Sequence, residues 1–284
     1  MQATGSSPIV VRKPNREETL VLWLRGGVLI GIVLSIIVPF LPLFFWSFSL
    51  RWFYPALAPT EYSLRAWEYL ASPSSRVLSS LLTSLLLSST VTVLATIIAI
   101  PAGRALGMYR FKGKALVEFL VLAPAIVPGM AVVMGIHVMF IRYGLADTFW
   151  GVVIAHLIPV TPYAVTLLAG VFANFEVQYE EQARVLGASP LKTLWYVTLP
   201  GILPGIVVSA LFAFLVSWSE YILTLLIGGG QVITLPLLLF SLAQGGDYAI
   251  TAATSLVFVA PAILVLVLTA RFLSAGSSVG GFKA

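Results

Sequence analysis

The sequence contains no cysteine and carries little charge. Without cysteine the chain cannot form a disulfide framework, a thiolate metal site or a cysteine nucleophile. Charged residues make up only 10% of it, whereas a soluble domain carries roughly 25%. So few charges cannot cover a surface exposed to water, so lipid must be the solvent for most of the chain. The net charge of +5 therefore indicates orientation in a membrane rather than a nucleic-acid partner.

Signatures of catalysis are also missing. The chain has no phosphate-binding loop of the form G-x-x-x-x-G-K-[ST]. Its two histidines, His137 and His156, are far apart and leave little from which to build a Ser-His-Asp triad or a metal site. We therefore expect a chain with no catalytic residues, no metal and no cofactor of its own.

Six charge-poor intervals are long enough to cross a bilayer, which takes about 20 apolar residues. They are Gly26–Leu50, Val77–Gly103, Ala115–Ile141, Thr148–Phe175, Ile202–Ile227 and Tyr248–Ala270. The first is too long for the core of a signal peptide, so we expect it to be retained as a helix. The sequence predicts an all-α integral membrane protein with six transmembrane helices.

Positive charges are divided unevenly between the two sides of the predicted membrane. If both termini lie on one side, that side holds 12 of the 16 Lys and Arg residues. By the positive-inside rule this side is the cytoplasm. The predicted organisation is a cytoplasmic tail (1–25), a first span (26–50), an external loop (51–76), a core of five spans (77–273) and a cytoplasmic tail (274–284).

Small polar and short apolar segments predict helix packing and surface helices. Hydroxyl side chains recur every fourth residue along the second span, which favours a face where another helix approaches closely. They belong to Ser80, Ser84, Ser88, Thr92 and Thr96. Ile233–Ala243 is apolar but too short to cross, and Leu64–Leu70 is predicted to form a short surface helix.

The stretch Tyr179–Pro200, YEEQARVLGASPLKTLWYVTLP, concentrates charge within an otherwise apolar chain. Acidic residues come early in its first half and Arg184 late, as a helix dipole favours. Gly187 stands where a helix commonly ends, Ser189 is a good N-cap, and Pro190 suits the first position of a second helix. The stretch predicts a cytoplasmic helix, turn and helix. Two interpretations fit: a connector with solvated charges, or a rigid protrusion that docks on a partner.

The same stretch resembles a signature of the permease subunits of binding-protein-dependent ABC importers, the MetI-like superfamily. That signature is E-A-A, then G, then I-x-L-P. Here Glu181-Gln182-Ala183, Gly187 and Val197-Thr198-Leu199-Pro200 occupy the corresponding positions, with Gln in place of Ala and Val in place of Ile. The spacing is unchanged, and the resemblance covers roughly Arg76 to Leu273.

The resemblance implies that loop 176–200 forms coupling helices that sit in a cleft of a cytoplasmic ATPase. It implies that Glu180, Glu181 and Ala183 face that cleft, that Gly187 sets the angle between the two helices, and that Ser189 and Pro190 begin the second. The implied partners are a second permease in a heterodimer, two ATPase subunits that bind ATP and Mg²⁺, and an extracytoplasmic solute-binding protein. The implied location is the inner membrane of a prokaryote.

Candidate residues of the translocation pathway lie in two predicted spans. Within the family, Ser217–Tyr221 (SWSEY) most resembles the polyamine-type second permease, although sugar-type permeases carry a similar stretch. A carboxylate within a span costs about 2.5–3.5 kcal/mol, so Glu220 either lines a path that favours cationic cargo or caps a helix near the outer interface. Ser217 and Tyr221 flank it. His156, in the middle of its span, either hydrogen-bonds across helices or titrates in the pathway.

Another class of protein competes with this interpretation. A secondary transporter or channel would work without ATP and often shows inverted repeats and several ion-binding groups within the membrane. No repeat is evident in this chain, and of its acidic residues only Glu220 is predicted to lie deep in a span. A membrane scaffold without transport activity is a third interpretation.

Overall fold

The computed structural model describes residues 16–53, 55–127 and 129–275. Over these ranges the chain is almost entirely helical. The helices are α1 (Arg16–Ile37), α2 (Phe40–Ser47), α3 (Arg65–Ala71), α4 (Val77–Met108), α5 (Lys114–Ile126), α6 (Gly129–Arg142), α7 (Phe149–Ala173), α8 (Gln178–Val185), α9 (Pro190–Thr193), α10 (Leu199–Trp218), α11 (Ile222–Gly228), α12 (Leu235–Gln244) and α13 (Tyr248–Ala275). Strands β1 (Ser49–Arg51) and β2 (Glu61–Tyr62) form a small antiparallel pair.

Five helical segments of the described chain are long and apolar enough to cross a membrane. They are Trp23–Ser47, Val77–Met108, Phe149–Ala173, Pro190–Trp218 and Tyr248–Phe272. The third predicted span, Ala115–Ile141, is wrong as a single helix, because α5 ends at Ile126 and α6 begins at Gly129. Val127 precedes a proline and is extended, with ψ of 135°, as the ring of a following proline requires.

Other predicted boundaries also shift. The span Ile202–Ile227 is interrupted, since α10 ends at Trp218 and α11 begins at Ile222. The N-terminal tail was predicted to extend to residue 25, yet α1 already begins at Arg16. The C-terminal tail was predicted to begin at 274, whereas α13 continues to Ala275. The remaining parts of both predicted tails, 1–15 and 276–284, lie outside the described residues.

Three long helices, α4, α7 and α10, form the centre of the bundle. Their buried side chains form one apolar cluster that includes Leu87, Val91, Ala95, Val153, Val160, Ala164, Leu168 and Ala213. Glycine allows α4 and α7 to approach closely. A Cβ on Gly103 would lie 2.8 Å from Leu168 Cβ, and one on Gly107 would lie 2.5 Å from the Ala169 carbonyl oxygen. The two helices therefore meet backbone to backbone.

The predicted packing face of α4 is confirmed for its first three hydroxyl residues. Ser80, Ser84 and Ser88 are buried, whereas Thr92 and Thr96 are half-buried. Ser84 Oγ also accepts a 2.7 Å hydrogen bond from the Leu235 backbone N–H at the start of α12. This bond holds the short apolar helix, predicted from Ile233–Ala243, against α4.

A second set of contacts organises the end of the bundle where α13 begins. We call this the Asp247 end. Arg65, at the start of α3, forms a 2.8 Å ion pair with Asp247, whose other carboxylate oxygen accepts from the Ile250 backbone N–H at 3.1 Å. Trp46 lies beside Trp52 and Tyr248, with ring centroids 4.8 and 5.2 Å apart. The described part of the segment between α2 and α4, predicted as an external loop with a short helix near Trp67, contains that helix as α3, and it adds a strand pair that we did not predict.

Candidate functional site

The stretch Tyr179–Pro200 folds into the predicted helix, turn and helix. Gly187 follows α8 with φ of +86°, a left-handed conformation that glycine adopts at little cost. Ser189 Oγ accepts from the Lys192 backbone N–H at 3.4 Å, and Pro190 is the first residue of α9. The chain then makes one π-helical turn over Leu194–Thr198 and enters α10. The turn chemistry of this segment was predicted correctly from its sequence.

Glu180 does not face outward, and this part of the prediction is wrong. Its side chain is 2% exposed, and its carboxylate points into the bundle. Both oxygens accept from the Arg104 guanidinium, at 2.8 Å from Nη1 to Oε1 and 2.7 Å from Nη2 to Oε2. Thr198 Oγ1 donates to Oε1 at 2.6 Å, and Arg184 Nη2 lies 3.7 Å from Oε2. Glu180 is a structural centre of the segment, because two helices and the π-helical turn meet at its carboxylate.

The surroundings of Glu180 keep it ionised. Burial raises the pKa of a carboxyl group, because the charged form loses water. Here the hydrogen bonds from Arg104 and Thr198, together with the charges of Arg104 and Arg184, outweigh burial, and the pKa of Glu180 is lowered. A bidentate Arg–carboxylate pair of this kind fixes orientation as well as charge.

The outer surface of the segment is apolar as well as charged. Val185 is 88% exposed, Leu186 87% and Tyr196 80%. Glu181 is also exposed, and Ala183 is half-buried. Of the residues predicted to meet a partner, Glu181, Gly187, Ser189 and Pro190 lie at the surface. The exposed apolar side chains of Val185, Leu186, Leu191, Trp195 and Tyr196 are together called here the apolar tip.

The candidate pathway residue His156 is buried among hydroxyl groups. Its Nδ1 lies 3.0 Å from Ser217 Oγ, and its Nε2 lies 2.9 Å from Thr224 Oγ1. The imidazole therefore joins α7 to the end of α10 and to α11, across the break between them. This geometry matches the prediction of hydrogen bonds across helices. Ser217 is buried in the same contact.

Glu220 lies in the break between α10 and α11, not inside a continuous helix. Its Oε1 accepts from the Leu223 backbone N–H at 3.1 Å, so the carboxylate caps the start of α11. Tyr221 turns toward α12, where its ring centroid is 4.7 Å from that of Phe240. The helix cap named in one interpretation of Glu220 is present, and the pathway role stays a prediction.

Two residues of this site were missed by the sequence analysis, namely Arg104 and Thr198. Arg104 directly follows the predicted span Val77–Gly103, and Thr198 fell on the variable position of the I-x-L-P element. No local pattern could have joined them to Glu180, which is 76 residues from Arg104 in the chain. The described residues also contain no group of three or more His, Cys, Asp or Glu side chains that could hold a metal ion.

Comparison with known proteins places this arrangement in a family. Residues 99–275 match the binding-protein-dependent transport system inner membrane component. The match covers more than half of the chain, and the chain belongs to this family. It is a permease subunit of a binding-protein-dependent ABC importer and a multi-pass membrane protein.

Individual relatives agree with this assignment. The chain is 25% identical over 273 residues to the inner membrane ABC transporter permease protein YcjP of Escherichia coli (strain K12), covering 91% of this chain and 96% of that protein. It is 29% identical over 153 residues to the spermidine/putrescine transport system permease protein PotC of Haemophilus influenzae, covering 54% and 60%.

A solved structure shows the same fold. The crystal structure of a bacterial ABC transporter involved in the import of the acidic polysaccharide alginate contains a chain that superposes with a TM-score of 0.71. The superposition covers 92% of this chain and 99% of that chain, at 19% sequence identity. The two chains share a fold, and the family match over residues 99–275 identifies it as the MetI-like permease fold.

Proposed function

We propose that this chain forms half of a translocation pathway and couples it to a separate cytoplasmic ATPase through segment 176–200. Its partners in this proposal are a second permease, two ATPase subunits and an extracytoplasmic solute-binding protein. Both termini are cytoplasmic, in the inner membrane of a prokaryote. ATP and Mg²⁺ are bound by the ATPase, because this chain carries no phosphate-binding loop.

The apolar tip is the observation that carries the proposal. Large apolar side chains that face lipid are ordinary, and three of these belong to the candidate span Pro190–Trp218. Val185 and Leu186 lie outside the candidate spans of the described chain, beside Arg184, on the side that the charge distribution assigns to water. Large apolar side chains exposed together in water favour an interface with a protein. A rim of charge around apolar anchors is the common arrangement of such interfaces.

Gly187 provides a test, because a second glycine supplies a matched control. Gly187 and Gly113 both have φ of +86°, and neither has a neighbour within 4 Å of an added Cβ. A β-branched residue strongly disfavours this conformation, at a cost above the roughly 1–2 kcal/mol of other residues. Gly187→Val should reduce co-purification of the ATPase chain and MgATP-driven uptake, whereas Gly113→Val, outside the segment, should leave both intact.

The outcomes separate the two interpretations of the segment. Glu181→Lys should act like Gly187→Val, because it reverses a charge at the proposed contact while leaving the backbone alone. Normal membrane insertion and yield must accompany the loss. If Gly187→Val and Glu181→Lys both retain ATPase association and uptake, then the segment is a connector, and the ATPase must act on another part of the chain.

The proposal also includes the charge of the transported solute. The resemblance to the polyamine-type permease favours cationic cargo, and PotC is named for spermidine and putrescine. The structural relative with the same fold imports an acidic polysaccharide instead. A sugar-type permease with neutral cargo is the alternative. Polyamine-like cargo therefore stays a prediction, tested at Glu220.

Glu220→Gln is a clean test because glutamine keeps an oxygen that can accept from the Leu223 N–H. The α11 cap should survive while the charge is lost. Uptake of spermidine should then fall roughly tenfold, the factor that corresponds to about 1.4 kcal/mol of transition-state stabilisation. Uptake of maltose as a neutral probe should not change. Unaltered spermidine uptake in a correctly assembled complex would remove Glu220 from the pathway.

A further inference from the structure

The carboxylate of Glu180 joins three separate segments of the chain. It belongs to α8, it receives two hydrogen bonds from Arg104 near the end of α4, and it receives one from Thr198 in the π-helical turn before α10. We call Arg104, Glu180 and Thr198 the carboxylate clasp. The proposed ATPase surface consists of exposed side chains of the same short segment.

The clasp is built for fixed geometry. The Glu180 side chain is 2% exposed and that of Arg104 is 23% exposed, so water can replace little of their contact. An Arg fork against a carboxylate permits one orientation, unlike the point charge of lysine. The contact therefore resists both separation and rotation of α8 against α4.

The part of α4 that carries Arg104 is also held firmly in place. Arg104 lies between Gly103 and Gly107, where the backbones of α4 and α7 are in contact. Gly205 allows α10 to lie close to α7, since a Cβ on Gly205 would lie 2.5 Å from a methyl carbon of Val171 in α7. A force applied to α8 therefore acts, through Arg104 and Thr198, on a packed unit of three long helices.

From these contacts we propose that Arg104 and Thr198 are positioning residues that transmit movement of the coupling segment to α4 and α10 through Glu180. The proposal rests on the proposed function, because it requires an ATPase to move the segment. It goes further by naming the connection within the permease. It distinguishes transmission, carried by the clasp, from docking, carried by the apolar tip.

A labelled cysteine can report the transmitted movement without knowledge of the cargo. The chain has no native cysteine, so Ser219→Cys introduces a single thiol, called here the reporter thiol. Ser219 is exposed in the break after α10, about 30 Å from the start of that helix at 1.5 Å per residue. The measurement is the rate of reaction with a methanethiosulfonate reagent, in the assembled complex, with and without MgATP and vanadate.

We expect MgATP and vanadate to change that rate in the parent complex. Arg104→Gln and Glu180→Gln should each reduce the ATP-driven change by about tenfold while the ATPase chain still co-purifies and hydrolyses ATP. The double variant should be no worse than either single variant, because residues that act through one contact are not additive. Arg104→Lys should restore part of the change, because it keeps the charge but loses the fork.

A second ion pair serves as the matched control. Lys114 and Glu118 are 3.7 Å apart on α5, outside the segment, with side chains 30% and 48% exposed. Lys114→Gln and Glu118→Gln should leave the ATP-driven change intact. This control separates the clasp from a general effect of lost charge on the same side of the protein.

The results distinguish failure of the clasp from failure of the proposed function. If the parent complex binds no ATPase and the reporter thiol does not respond, the proposed function fails. If the reporter thiol responds in the parent and equally well in both Gln variants, transmission through the clasp is wrong. Loss of ATPase association in both Gln variants would also overturn the proposal, because the clasp would then support docking. Additive losses in the double variant would show that Arg104 and Glu180 act independently.

Discussion

The two ends of the helical bundle each carry an Arg–carboxylate ion pair, and the pairs differ in burial while agreeing in length. Arg104 and Glu180 approach to 2.7 Å at one end, and Arg65 and Asp247 approach to 2.8 Å at the other. The side chains of the first pair are 23% and 2% exposed, and those of the second 47% and 35%. The comparison teaches that the distance between the charged groups does not determine how much an ion pair contributes to stability. Burial does, because an exposed group that loses its partner regains water.

Removing one partner from each pair should give the largest contrast. Arg104→Leu leaves the buried carboxylate of Glu180 without its main partner, and should lower the free energy of unfolding by on the order of 3 kcal/mol. Arg65→Leu leaves Asp247 free to hydrate, and should cost below about 1 kcal/mol. Thermal unfolding of the purified variants in detergent measures both. Equal losses of unfolding free energy in the two variants would contradict the idea that burial determines the contribution of an ion pair.

The stability contributed by the buried Glu180 carboxylate should also depend on pH. A carboxyl group whose pKa is lowered by folding contributes stability above its ordinary value, here 4.5, and loses it as the pH falls through the lower value of the folded state. The stability difference between the parent and Glu180→Gln should therefore be constant from about pH 8 to pH 5. It should shrink at lower pH. A difference that changed steeply near neutrality would contradict a lowered pKa.

Close backbone packing at the Glu180 end predicts the next effect in size. A Cβ at Gly107 would lie 2.5 Å from a carbonyl oxygen of α7, whereas one at Gly170 meets nothing within 4 Å. Gly107→Ala should therefore force α4 away from α7 and cost about 2 kcal/mol, a typical penalty for overpacking. Gly170→Ala should be neutral or slightly stabilising, because alanine favours a helix. Similar unfolding midpoints for the two variants would show that α4 shifts without cost.

The smallest effect is expected from Asp247→Asn at the opposite end. Burial raises the pKa of Asp247, but the hydrogen bonds from Arg65 and from the backbone outweigh it, and the pKa is lowered. Asparagine keeps the acceptor for the Ile250 N–H and loses only the charge. We expect a loss of a few tenths of a kcal/mol, reduced further in high salt. A loss as large as that of Arg104→Leu would mean that the Asp247 end is packed as firmly as the Glu180 end.

Local features of the chain were predictable wherever neighbouring residues decide them. Gly187, Ser189 and Pro190 define their turn through backbone preferences alone, so the helix, turn and helix followed from the sequence. The packing face of α4 followed from the four-residue spacing of Ser80, Ser84 and Ser88. The break at Val127 was also encoded, by the proline that follows it, but the long charge-poor interval around it concealed the break.

Contacts between distant segments were not predictable from one sequence. Glu180 and Glu181 are adjacent, equally acidic and equally early in α8, yet one is buried and the other exposed. The positions of Arg104 and Thr198 separate them, and those positions depend on how α4, α7 and α10 pack together. The same holds for His156, whose partners Ser217 and Thr224 come from two helices that the sequence presented as one.

By itself the sequence determined that this protein resides in a membrane, which of its segments are apolar enough to cross it, and where its charged helix-turn-helix segment lies. These properties depend on composition and on local backbone preference, and both are present in the unfolded chain. The tertiary structure alone decided that Glu180 is ionised inside the bundle while the apolar tip faces outward. Burial and ion pairing are relations between segments, so they exist only once α4, α8 and α10 have packed together.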